Sequence, residues 1–154
     1  MSDTKEAYQT HQKKYSLPNY SDLNLIFNLE DIDSDSELFL ANVRGKIHDK
    51  FDNYARLIEN IMQPDSNIIN LYEAHYVSDK QKNNAYSLLK KLMLCIRNSE
   101  LISIENNEDD NAKFIKDSYA VWLDIKEDIK KHITKIKETW EKDTGIKEDF
   151  SYFG

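Results

Sequence analysis

Three glycines and two prolines in 154 residues leave this chain almost no material for tight turns. Hairpins and many-stranded sheets draw on both residues for their connections. Phosphate-cradling loops need clustered glycine, because backbone must approach the ligand closely and take positive φ. Gly45, Gly145 and Gly154 are too widely spaced for a Walker A loop or a dinucleotide-binding turn. The shortage points to an all-α fold and removes most nucleotide-dependent chemistry. No cofactor is expected.

Apolar periodicity supplies the helices. From Ser36 to Met62 the series Leu40, Val43, Ile47, Phe51, Tyr54, Leu57/Ile58 and Ile61 advances by threes and fours. Pro64 ends it. From Asp79 to Ile104 the stripe is Ala85, Leu88, Leu89, Leu92, Cys95, Ile96, Ser99 and Ile102, entered through a Ser78–Gln81 capping box. From Asp110 to Lys142 it is Ile115, Tyr119, Trp122, Ile125, Ile129, Ile133, Ile136 and Trp140, with Asn107 or Asp109 as cap. Shorter helices are expected at residues 4–14, within 18–30 and within 67–76. The predicted architecture is an up-down helical bundle of three long helices plus an N-terminal helix and short end-closing helices. The longest helix overhangs the others at Trp140, where the N-terminal helix or the C-terminal tail is expected to cover it. One domain, 1–145, and an acidic-aromatic tail, 146–154, follow from the stop at Thr144-Gly145.

Charge narrows the partners. The net charge is −7, and lysine outnumbers arginine eighteen to three. Neither favours nucleic acid, which recruits a basic surface and the forked guanidinium. The longest purely apolar run, Leu92–Ile96, is far below the roughly 20 residues that span a bilayer. The opening residues Met1–Glu6 are polar, without a signal-peptide core. The lone Cys95 allows no intrachain disulfide and sits on an apolar stripe, a structural position. A cytoplasmic protein that contacts no membrane is expected.

Three local patterns carry candidate chemistry. No lysine or arginine occurs between Lys14 and Arg44, and that interval holds Asp22, Glu30, Asp31, Asp33, Asp35 and Glu37, six of the chain's surplus negative charges. Such an acidic stretch can steer a basic partner. Within it, Asp31, Asp33 and Asp35 alternate like the opening of an EF-hand loop, giving a weak calcium-binding alternative. Ser36 replaces the turn glycine, however, and Asn42 the closing glutamate. Arg44 and His48 lie one helical turn apart. This pair resembles the Arg and His of HEPN-type helical ribonucleases, whose spacing is slightly wider than the three residues found here. The resemblance implies a nuclease or toxin site at Arg44 and His48. Finally, Phe150, Tyr152 and Phe153 crowd the tail after the helix stop. They are expected to dock on the chain's own bundle or in a partner's groove.

No nucleophile–base set and no metal-ligand spacing emerges; the E-x-x-H pairs of di-iron bundles are absent. The leading expectation is a non-catalytic adaptor or regulatory subunit acting through protein–protein interaction. Its contacts are Asp31, Asp33, Asp35, Glu37, Phe150, Tyr152 and Phe153. The partner is an unidentified, basic protein, and a homodimer is the other assembly considered. Gly45 stands apart: it lies inside a periodic helix, where glycine costs about 1 kcal/mol against alanine. A close helix or a ligand there is the expected reason.

Overall fold

A computed structural model describes residues 2–64 and 67–142. Among these the chain is all-helical, with no strand: α1 (Asp3–Tyr15), α2 (Tyr20–Phe27), α3 (Phe39–Met62), α4 (Ile68–Glu73), a 3-10 turn (Ala74–Tyr76), α5 (Asp79–Glu105) and α6 (Glu108–Glu141). No helix among the described residues is long and apolar enough to cross a membrane. The tail 146–154, with Phe150, Tyr152 and Phe153, and the expected cap Gly145 lie outside the described residues.

The backbone divides into two compact units. The first comprises Met1–Asp52 with Met93–Asp124, and the second Asn53–Leu92 with Ile125–Gly154. Helices α3, α5 and α6 each contribute to both.

In the first unit, Val43, Ile47 and Phe51 of α3 are fully buried, as their spacing requires. Phe27, Phe51 and Trp122 form an aromatic cluster with ring centroids 6.0–6.4 Å apart. Such pairs add stabilisation beyond their buried area. α1 is anchored at both ends. The Thr4 hydroxyl donates to the Ile32 carbonyl at 2.9 Å. At the other end Glu108 accepts from the Tyr15 hydroxyl at 2.6 Å and from Lys14 Nζ at 3.2 Å, with His11 Nδ1 at 3.5 Å. The hydrogen bond from Tyr15 is the main reason the Glu108 carboxyl is held below the usual carboxylate range.

In the second unit, Ile58, Leu88, Leu92, Ile125 and Ile129 are buried, again on the expected stripes. α5 begins with the expected capping box: the Ser78 N–H donates to Gln81 Oε1 at 2.8 Å, and the Gln81 N–H donates to Ser78 Oγ at 3.4 Å. Trp140 packs against α4 on one side but stays 38% exposed, so it sits at the edge of the core and not within it. The Tyr72 ring lies 4.7 Å from it, and its indole N–H donates to Glu73 at 2.7 Å. Of the two segments expected to cover Trp140, α1 belongs to the other unit and the tail is outside the described residues.

Two expectations need correction. α3 begins at Phe39, three residues after Ser36. Ser36 Oγ accepts from the Leu38 N–H at 3.1 Å and from Asn42 Nδ2 at 3.2 Å, and so turns the chain ahead of the helix. On α6, Ile133 is exposed and His132 is buried in its stead. The stripe steps from Ile129 to His132 to Ile136, because the imidazole finds hydrogen-bond partners in Tyr76 and Asn84.

Glycine scarcity has a structural counterpart. α1, α2 and α5 are followed by left-handed residues, and these are Ser16 (φ 56°), Asn28 (φ 53°) and Asn106 (φ 60°). Asparagine tolerates this region better than most residues. The chain therefore stops its helices with little need of glycine.

Candidate functional site

The acidic stretch is a packed loop with its carboxylates outward. Leu29 and Ile32 are buried beneath it, while Asp31, Asp33, Asp35 and Glu37 are exposed. Asp31 pairs with Lys46 at 2.6 Å, and that contact lowers its carboxyl pKa. Asp33 Oδ1 accepts the Asp35 N–H at 3.0 Å, a local turn. Among the described residues no group of three or more His, Cys, Asp or Glu is arranged to hold a metal ion.

Arg44 turns into the first unit. Its Nε donates to Asn111 Oδ1 at 2.7 Å, Nη1 to the Ser99 hydroxyl and carbonyl at 2.8 and 3.0 Å, and Nη2 to Asn106 Oδ1 at 3.3 Å. These hydrogen-bond acceptors are all neutral. Burial lowers the guanidinium pKa, and the group works as a strut joining α3 to the end of α5 and the start of α6. His48 is half-buried, and these hydrogen bonds do not bring the Arg44 guanidinium to it. Cys95 is half-buried, and burial, with a contribution from Asp117, pushes its thiol up to about 11, away from the reactive thiolate.

Gly45 has nothing within 4 Å of where a Cβ would stand. Neither a close helix nor a crowded backbone explains it. It lines an open surface hollow with Asp31, Asp33, Asn42 and Lys46.

Two features were not read from the sequence as sites. The first is the outer face of α5 in the first unit. Leu94, Leu101 and Ile104 are 64, 68 and 78% exposed, whereas Ile96 and Ser99 on the inner face are buried. Leu94 and Leu101 are seven residues, about two turns, apart and share an azimuth; Ile104 adjoins Leu101 one turn further. Beside them runs a groove of about 380 Å³ lined by Asn98, Leu101, Ile102, Ile104, Glu105, Asp110, Lys113, Phe114 and Asp117. Its carboxylates outnumber its one ammonium, Lys113, which is itself paired with Asp117 at 2.8 Å. A signal was present: these apolar residues lie off the α5 stripe, at positions where an amphipathic helix carries polar groups.

The second lies in the other unit. His132 is 5% exposed and bonded through both ring nitrogens. Nδ1 is 3.0 Å from the Tyr76 hydroxyl, and Nε2 is 2.8 Å from Asn84 Oδ1. With Asn84 presenting its oxygen, the consistent tautomer carries its proton on Nε2 and accepts from Tyr76. Burial lowers the imidazole pKa against the opposing pull of Asp128. Burial, with a contribution from Glu73, raises the Tyr76 hydroxyl to about 12. The trio borders a cavity of about 380 Å³ that also meets Ser78, Lys80, Gln81, Asp128, Lys131 and Lys135. The sequence placed His132 beside the core stripe but could not pair it with residues 56 and 48 positions away.

Compared with protein-family models, curated proteins and solved structures, the chain matches none.

Proposed function

We propose that this protein is a non-catalytic helical adaptor that binds a partner protein through the outer face of α5. The observation that carries this reading is the exposed aliphatic series Leu94, Leu101 and Ile104 beside an acid-rimmed groove. Exposing aliphatic side chains to water is unfavourable, and burying them against a partner's apolar surface relieves roughly 25 cal/mol per Å². The acidic rim selects the occupant: an amphipathic helix with an aliphatic stripe flanked by lysine or arginine. Asp31, Asp33, Asp35 and Glu37 supply further negative potential in the same unit, which favours encounter with a basic partner.

The reading is tested by the double variant Leu101→Lys/Ile104→Lys. Both side chains are already in water, so the melting temperature is expected to stay within a few degrees of wild type. Capture of the partner that wild-type protein retains should be lost. If the double variant keeps that partner at wild-type affinity, the face is not the contact.

A further inference from the structure

We propose that the cavity bordered by Tyr76 and His132 binds a small phosphomonoester with an apolar body. Its charge balance is the first reason. Its wall carries three lysines, Lys80, Lys131 and Lys135, against one acidic residue, Asp128. That is a local surplus of two positive charges in a chain whose net charge is −7. Lys135 also reaches Glu138 at 3.4 Å, but that pair is half-exposed and worth little. A phosphomonoester is close to a dianion at pH 7.5, its second pKa being about 6. The ammonium group, a compact point charge with three donors, is a common phosphate binder.

Size and lining give the second reason. A volume of about 380 Å³ lies within the range of small-molecule sites and is too large for a bare inorganic ion. Lysine stems and the Tyr76 ring offer apolar surface for an organic body. Asn84 and Gln81 offer amide groups at its edge. The third reason is order. His132 is locked by its two hydrogen bonds, so the inner wall of the cavity is fixed before a ligand arrives, which spares the entropy of arranging it on binding.

Phenyl phosphate is the probe, titrated into the full chain at pH 7.5 and read by calorimetry and by the NMR resonances of the His132 ring. It is expected to bind saturably, at least ~10-fold more tightly than inorganic phosphate, which lacks the body, or benzoate, which carries one charge. Lys131→Gln/Lys135→Gln should weaken it at least ~10-fold with an unchanged melting temperature, whereas Lys13→Gln/Lys116→Gln, which removes the same charge from the other unit, should not. Absence of a saturable His132 shift overturns the proposal. So does equal binding of the three anions, or equal loss in the two double variants.

Discussion

At the scale of single residues, the polar groups facing inward say most. Arg44 illustrates the gap between a motif and an environment. Read as sequence, it is a cation one turn from His48. Folded, its donors are taken up by Ser99, Asn106 and Asn111, none of them closer than 55 positions along the chain. Truncation to alanine leaves the buried Ser99 and Asn111 side chains short of a donor. Arg44→Ala is expected to lower the unfolding free energy by about 2 kcal/mol, measured in urea. Arg44→Lys should recover only part of it, since a single ammonium cannot span acceptors that a planar fork reaches at once. Gly45 predicts the opposite sign. A methyl group there meets open space, so Gly45→Ala should stabilise by about 1 kcal/mol. The same urea melts decide it; destabilisation would show that the glycine has a packing role.

At the scale of elements, the three long helices were legible because each buries a face wide enough to repeat its period many times. Capping boxes and cap residues are local, and so Ser78–Gln81 and the Asn107 side chain, which accepts from the Asp109 N–H at 2.8 Å, were legible too. What joins the elements was not. Residues such as Ser16 and Asn28 carry no signal of a left-handed stop when glycine is the residue sought. The exchange of Ile133 for His132 on the α6 stripe depends on Tyr76 and Asn84, which periodicity within α6 cannot see. That exchange has a pH signature. The folded imidazole has a lowered pKa, so as pH falls the unfolded chain takes up its proton first. The stability held by the neutral ring is full above the unfolded value of about 6.5 and is lost as pH falls through the lower folded value. Asp128 opposes this shift, while Lys80, Lys131 and Lys135 around the cavity add positive charge near the ring. Wild type should therefore lose melting temperature between about pH 7 and pH 5 more steeply than His132→Gln, which does not titrate. Parallel curves for the two proteins would contradict this.

At the scale of the whole molecule, scarcity of glycine and excess of acid set the terms. The first directed the chain to helices and away from phosphate loops. The second left a stretch from Asp22 to Glu37 with six acids and no lysine or arginine within it, and three further carboxylates, Glu105, Asp110 and Asp117, along the α5 groove. The acidic loop was legible as a charge run. The apolar α5 face was not, because a leucine outside the stripe reads as a wider core until its exposure is known. Both features favour a basic, apolar-striped partner, whose association should weaken as salt screens the rim. The most direct measurement is photo-crosslinking from a reactive side chain placed at Leu101, at Ile104 and, as a control in the other unit, at the exposed Lys126, in the cell that makes the protein. Positions 101 and 104 should each yield one discrete adduct to the same protein, crosslinked within a helical segment carrying an aliphatic stripe and flanking lysine or arginine, with none from 126. Equal adducts from all three positions, no adduct from 101 and 104, or an adduct to a second copy of this chain would contradict the account.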